Sequence, residues 1–591
     1  MWSPRTFWPG LLLALTVAPR AAPAQVPAAK LDHVLQQATA GQGQHRVIIR
    51  VRPGYEAPVR ETLRVRGHQV SASHQLIGGL AALVPGAALG QLASDPRIAS
   101  VSVDAVVRPS AEPQWSPVSA PSSIDLLRDT LGLDGLDVTG AGVGVAVIDS
   151  GIAPSQDLLG RIAAFYDFTN GRSRPAYPSD EYGHGTHVAG LIAGSGQLSA
   201  STYRGVSPRV RLVGLKVLDE DGAGYTSDVV RAIEFVVANR ATLGIDIINL
   251  SLGHPIFEPA ATDPLVLAVE QAVRAGLVVV TAAGNVGLNP GTGEPGYAGI
   301  LSPGNAPSAI TVGATTTADT AMRSDDRVAP FSSRGPSWYD ALAKPDVVAP
   351  GHRLVSVAAP GSTLYRSLPS QRVVGALGGT YLRLSGTSMG AAVTTGVVAL
   401  VLESSRRASD DSSWAWTWRP KLSPNAVKAV LQYSAVRLAD ERGVSFDHLT
   451  QGGGAINAAG AVELAGRIDT RVPAVGVWVT SAFEPASVIA GERLPWAQNI
   501  VWGTTVERGT AILLNQPCWG TNIVWGTLDP AQVDWRAAAA ANIVWGTNIV
   551  WGTNIVWGTN IVWGTNIVWG TNIVWGTNIV WGTAAGEVGG E

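Results

Sequence analysis

A single cysteine, Cys518, among 591 residues excludes any intramolecular disulfide, so the fold must rest on packing and at most on bound ions. Charged residues make up only 15% of the chain, the net charge is −3 and no basic run occurs, which removes the electrostatic case for nucleic acid as a partner. Beyond the first residues there is no uninterrupted apolar stretch of about 18 positions, so no anchoring transmembrane helix is expected. The N-terminus itself has a positive start at Arg5, an apolar centre from Phe7 through Val17 and a small-residue exit at Ala22-Pro23-Ala24. That apolar run is short for a membrane span, and residues 1–24 read as a secretory signal peptide. Export follows as the expectation.

What the chain has in quantity is apolar residues, at 46%, and length enough for more than one unit. Within residues 25–107, the stretch from His45 to about Val107 alternates in the order β-α-β-β-α-β. R-V-I-I-R-V-R (46–52), G-G-L-A-A-L-V (78–84) and I-A-S-V-S-V (98–103) are strand-like, and A-P-V-R-E-T-L-R-V (57–65) is helical. A small α+β domain is predicted there. Residues 108–121 are rich in proline and serine and read as an extended linker. From 122 to 466 apolar runs at 143–148, 211–218, 245–250 and 277–283 alternate with helices, two of which begin at Asp263-Pro264 and Ser423-Pro424. Near-continuous apolar strands belong to a parallel sheet covered on both faces. The fold class predicted is α/β, a doubly wound, mostly parallel sheet, preceded by the small α+β domain and followed by a repetitive β-prone tail.

Such sheets carry chemistry at the carboxyl ends of their strands. The first strand ends in V-I-D-S-G (147–151), where Asp149 is followed by backbone donors able to hold a carboxylate ionised. D-E-Y-G-H-G-T-H-V-A-G (180–190) opens a helix with two histidines. A metal pair, His184 and His187, lacks a third ligand at suitable spacing, whereas His184 between two glycines has the room a general base needs and His187 falls one turn on, to be packed. A-A-G-N (282–285) ends in Asn285, a carboxamide that could donate to an oxyanion or could simply form a turn. In S-G-T-S-M-G-A-A (385–392), Ser388 starts an apolar helix and reads either as its N-cap or as a nucleophile.

Taken together, V-I-D-S-G, H-G-T-H-V-A-G, S-L-G (251–253), A-A-G-N, F-S-S-R-G-P (331–336), K-P-D-V-V-A-P-G (344–351) and G-T-S-M resemble the subtilisin-like serine endopeptidases, in that family's order. The resemblance covers about 122–466. It implies Ser388 as nucleophile, His184 as base, Asp149 as orienting acid, and Asn285 with the Ser388 N–H as oxyanion donors. This family is itself the reference case for that triad and that asparagine. Gly222-Ala223-Gly224 and Ser251-Leu252-Gly253 resemble the cleft edges that pair with substrate, and Ala283-Gly284 lies beside them. No carboxylate stands at the expected floor of the primary pocket, which implies an apolar or broad preference. No cofactor is needed for the chemistry and no metal-ligand set is assigned. Structural calcium is conceivable, but 191–210 contains no Asp or Glu to hold it. Gly390 and Ala392 replace the alanine and proline usual after G-T-S-M, which should loosen the helix start without abolishing catalysis.

The N-terminal α+β domain then resembles an inhibitory propeptide, cut away in the linker between about Val107 and Pro121. The expected protein is a secreted, self-processing zymogen acting on polypeptides. Behind it lie an extension, 467–541, and a tandem array in which N-I-V-W-G-T occurs seven times from Asn542 to Thr583. Thirteen of the 20 tryptophans fall beyond residue 470, and a six-residue period turns a helix by about 240° per repeat, so no helical stripe forms. At period two the repeat suits a short β-solenoid, and equally a sticky, self-associating tail. The alternative reading makes this array the function, in surface display or self-association, with proteolysis serving only maturation.

Overall fold

The computed structural model describes residues 30–38, 43–110, 126–410 and 421–515 apart from breaks of one or two positions, and five three-residue strands between 549 and 575. The signal peptide, most of the linker and the W-A-W-T-W segment (414–418) lie outside the described residues.

The N-terminal unit forms a four-stranded antiparallel sheet from β1 (Gln44–Val51), β2 (Gln69–His74), β3 (Gly79–Pro85) and β4 (Ile98–Val103), in the order β2-β3-β1-β4. Helices Glu56–Val65 and Gly86–Ser94 complete the expected element order. Its core is small and aliphatic, with Leu35, Val47, Ile49, Leu63, Leu80, Leu89 and Ile98 all buried. After β4 the chain makes a further short strand, β5 (Val106–Pro109), that leaves this sheet altogether.

The main unit is built on β6 (Gly144–Asp149), β7 (Ile162–Asp167), β8 (Arg174–Pro175), β9 (Arg211–Lys216), β10 (Gly224–Tyr225), β11 (Ile247–Leu250), β12 (Leu252–Gly253), β13 (Val278–Ala282), β14 (Ile310–Thr316), β15 (Arg327–Val328) and β16 (Val347–Pro350). The pairs β7–β9, β9–β6, β6–β11, β11–β13, β13–β14 and β14–β16 are all parallel, with β8 and β15 antiparallel at the edges. Every residue of β6, β11 and β13 is buried, as a sheet covered on both faces requires. One face is covered by helices Thr226–Leu243 and Pro264–Arg274, the latter capped by Asp263, whose side chain accepts from Leu265 and Val266 N–H. The other face is covered by helices His184–Ala193, Thr387–Asp410, Pro424–Tyr433 and Ala458–Arg467.

Helix Thr387–Asp410 is long and apolar enough, over Thr387–Arg407, to cross a membrane, but 94% of its apolar window is buried inside the protein, which makes it the central core helix. The extension behind 467 packs into that same core. Trp478, Trp496, Ile500 and Ile512 are buried with it, and Trp496 Nε1 donates to Ser487 Oγ at 2.9 Å. Among the repeats, strands Ile555–Trp557 and Ile567–Trp569 pair in parallel, as do Ile561–Trp563 and Ile573–Trp575, each two repeats apart, whereas Ile549–Trp551 pairs antiparallel with the adjacent Ile555–Trp557.

Candidate active site

Asp149 ends β6 fully buried. Its Oδ1 accepts the Ser150 N–H at 2.7 Å and lies 2.8 Å from His184 Nδ1. An ionised carboxylate only accepts, so Nδ1 carries the hydrogen and Nε2 is left with its lone pair outward. Among the described residues Nε2 has no hydrogen-bond partner. The imidazole can come this near because the next residue is Gly185: a Cβ there would stand 2.1 Å from the Gly151 carbonyl oxygen and 3.1 Å from Asp149 Cβ.

The start of the His184 helix is fastened to the end of β6 by Asp180, the first residue of the D-E-Y-G-H-G-T-H stretch. Its buried carboxylate accepts from Ser150 Oγ at 2.8 Å, Gly183 N–H at 2.7 Å, and Thr186 N–H and Oγ1 at 2.8 and 2.6 Å. Burial outweighs these donors and raises its pKa. An acid four residues ahead of a helix-starting histidine was the available signal. His187, one turn on, donates Nε2–H to the Leu354 and Leu382 carbonyls at 3.2 and 3.0 Å. Burial, with His184 beside it, pushes His187 down to about 3, a neutral packed ring. No cluster of three or more metal-type side chains occurs among the described residues.

Ser388 sits just inside the helix that begins at Thr387, after a turn at Gly386 with φ of +153°. Its hydroxyl donates to the Ser251 carbonyl at 2.9 Å and caps nothing in its own helix. Ser251 Oγ returns a bond to the Ser388 carbonyl at 3.1 Å. Beyond the end of β13, Asn285 Oδ1 accepts from Thr387 N–H at 3.0 Å and from Thr387 Oγ1 at 3.1 Å. That locks the carboxamide, leaving Nδ2 buried and without a partner among the described residues. The geometry therefore joins Asp149 to His184 directly and Asn285 to the Ser388 turn through Thr387, while the His184 and Ser388 helices pack together.

Strand β5 lies in the cleft. It pairs antiparallel with β10 (Val107 opposite Gly224) and with β12 (Pro109 opposite Leu252, Arg108 opposite Gly253). Of the expected cleft residues, Gly224, Ser251, Leu252 and Gly253 meet this strand; Gly222 and Ala223 fold back onto Asp219 instead. At its end the Ser110 N–H donates to the Ser251 carbonyl and the Ser388 N–H donates to the Ser110 carbonyl, each at 3.1 Å. Ala283 accepts Leu301 N–H at 3.0 Å and Gly284 N–H reaches Thr387 Oγ1 at 3.1 Å, so both line the same corner. The loop 191–210 is held by Asp157, which reaches in from outside it to accept from Ser195 Oγ, Leu198 N–H and the Tyr381 hydroxyl.

A parallel α/β sheet with an acid–imidazole pair at one strand end, a serine at a helix start and an extended strand between them is the frame of a serine peptidase. Residues 140–456 match the subtilase family of peptidases. The chain is 39% identical over 334 residues to serine protease AprX of Bacillus subtilis, covering 56% of this chain and 68% of that protein. It is 34% identical over 391 residues to the extracellular serine proteinase of a Thermus species, covering 65% and 77%. Against subtilisin E of Bacillus subtilis the identity is 32% over 346 residues, covering 58% and 76%. The fold is similar to that of fervidolysin from Fervidobacterium pennivorans, a keratinolytic enzyme related to subtilisin, with a TM-score of 0.52 at 21% identity over 72% of this chain and 61% of that one. The chain belongs to the subtilase family and is a subtilisin-like serine endopeptidase. Nothing in these comparisons favours the display reading of the repeats.

Proposed function

We propose that the chain is a secreted zymogen that hydrolyses peptide bonds through Asp149, His184 and Ser388 and that processes itself first. The hydroxyl of Ser388 turns from the Ser251 carbonyl to His184, and Oγ attacks the substrate carbonyl carbon while its proton passes to Nε2. Asp149 keeps Nδ1 protonated and stabilises the imidazolium. The carbonyl oxygen, now negative, takes hydrogen bonds from the Ser388 N–H and Asn285 Nδ2. Collapse of the tetrahedral adduct breaks the C–N bond, and the amine leaves with the proton from His184. Water then attacks the acyl ester with His184 as base, releasing the acid and restoring the Ser388 hydroxyl.

The observation that carries this reading is Ser110: its carbonyl oxygen rests on the Ser388 N–H while its strand fills the cleft between β10 and β12. A segment seated as substrate inhibits until it is cut. The N-terminal domain then acts as inhibitor, held to the peptidase by Asp104, which accepts Ser227 N–H at 2.8 Å at the start of a helix, and by Glu234 of that helix, which accepts Leu76 N–H at 2.8 Å. Secretion accords with the N-terminal leader pattern and with the extracellular relative. Expression of the wild type beside Ser388→Ala, with mass measurement of the products, tests the whole: two fragments from the first and an intact precursor from the second are expected. Cleavage of the Ser388→Ala chain at the same bond by its own expression alone would refute it.

A further inference from the structure

The tandem array 542–583 holds no charged residue and no proline. Charges and prolines are what ordinarily keep an exposed strand edge from pairing with another chain, so in this array only the edges already taken are protected. Among the described residues the second to sixth repeats each carry a three-residue strand. The third pairs with the fifth in one sheet and the fourth with the sixth in another, both in parallel and with like opposite like. In the second of these sheets Ile561 stands opposite Ile573, Val562 opposite Val574 and Trp563 opposite Trp575.

Pairing two repeats apart leaves that sheet short at both sides. The second repeat would be the next partner of the fourth, but its strand, Ile549–Trp551, turns antiparallel onto Ile555–Trp557 and joins the other sheet. An eighth repeat would be the next partner of the sixth, and 584–589 read A-A-G-E-V-G instead. The sheet of Ile561–Trp563 and Ile573–Trp575 is thus two strands wide, and among the described residues neither of its outer edges has a backbone partner. The isolated repeat at 499–504 is already engaged elsewhere: Asn499–Trp502 pairs with Thr505–Arg508, and Ile500 and Val501 are buried. Because the two strands run parallel, the free edge of the sixth repeat in one chain matches the free edge of the fourth repeat in another. Joining them only repeats the pairing that each chain already contains.

We propose that the array is an interface for a second copy of this chain, in which Ile573–Trp575 of one chain pairs, parallel and in register, with Ile561–Trp563 of the next. The contact is head-to-tail, so every chain added exposes the same edge again, and the product is an open filament rather than a closed dimer. Strands about 4.8 Å apart, stacking identical residues, make the ladder continuous from chain to chain. The assembly uses nothing of the catalytic machinery.

The test uses the full-length chain with Ser388→Ala, so that no self-cleavage shortens it, and Cys518→Ser, so that introduced thiols act alone. Sedimentation at rising concentration should show growth into filaments that diffract at a spacing of about 4.8 Å along their axis. Deleting 542–583 should abolish growth without moving the melting temperature of the peptidase unit. Val562→Cys and Val574→Cys are then placed in separate chains. Mixed under mild oxidation, the two should form a disulfide between unlike chains, because in-register neighbours about 4.8 Å apart lie within disulfide reach. Each alone should link at least ~10-fold less, because like positions in successive chains are two strands, about 9.6 Å, apart. Should either substitution itself stop growth, Ile561→Cys and Ile573→Cys read the same pairing one residue away. A full-length chain that stays monomeric, growth that survives the deletion, or linkage between like chains as strong as between unlike ones overturns the proposal.

Discussion

At the scale of single residues, the site is organised by what its polar atoms are prevented from doing. Asn285 spends its Oδ1 on two donors from Thr387, which aims Nδ2 and leaves it buried without a partner among the described residues. An unpaired buried donor is costly at rest and is offset only when negative charge develops beside it. Replacing Asn285 by Ala should therefore lower kcat about 10²- to 10³-fold with little change in KM, as read in steady-state kinetics on one peptide. A comparable rise in KM would mean that the amide binds the ground state instead. The placement of Asp149, His184, Asn285 and Ser388 at strand and helix ends was legible in the sequence because each sits in a short motif there. The part of Asp180 was not, since it acts through hydrogen bonds to four separate groups that the chain order does not show converging.

At the scale of elements, the buried parallel strands announced themselves where they were aliphatic throughout, as in β6, β11 and β13. Strand β14 did not: I-T-V-G-A-T-T carries three threonines, and Thr311 is accommodated in the interior by donating its Oγ1 hydrogen to the Gly304 carbonyl at 2.7 Å. Strand β5 straddles the expected boundary: Val106 and Val107 belong to the N-terminal domain, whereas Arg108 and Pro109 read as linker because Pro109 and the prolines after it mark irregular chain; the strand's partners are cleft edges, not a sheet of its own. The helix behind Ser388 shows how an unusual residue gains a reason. Gly390 stands where the G-T-S-M-A-A-P pattern that the sequence resembles has alanine, which implies a loosened helix start, yet the helix is buried along its first turns. A Cβ at Gly390 would come to 2.7 Å of the Gly313 carbonyl oxygen on β14, so here the sheet approaches the helix more closely than a methyl allows. Gly390→Ala must push helix and strand apart. It should lower the melting temperature and reduce the rate of fluorophosphonate labelling of Ser388, by a cost of about 1–3 kcal/mol typical of overpacking. An unchanged melting curve would show that the contact relaxes freely.

At the scale of the whole molecule, the boundary expected near 466 does not coincide with the edge of the core. Trp478 and Trp496, each only 3% exposed, together with Ile500 and Ile512, pack into the peptidase core. Removing a buried tryptophan costs roughly 3–5 kcal/mol, so ending the chain after 469 should leave no soluble, processed enzyme. Ending it after 515 should leave casein hydrolysis intact, which separates the extension from the repeats behind it.

The same scale contains the junction between inhibitor and enzyme, where Glu258 of the peptidase is buried beside Ser102 and Asp32 of the N-terminal domain. Burial first, then the charge of Asp263 and of Asp32, pushes Glu258 up to about 8, while Arg50 opposes them and Tyr339 lies close by. A carboxyl raised in the complex holds its proton there and gives it up when the cleaved domain leaves and water returns. The grip it supports is thus whole below the ordinary glutamate range, near pH 4.5, and is lost as pH rises through about 8. Release of the cleaved domain from the processed complex, followed by gel filtration from pH 5 to 8, should become easier by up to about tenfold per pH unit. Glu258→Gln cannot ionise, so it should flatten that profile and keep the domain bound at the alkaline end; a variant whose release still tracks pH as the wild type does would place the switch on another group.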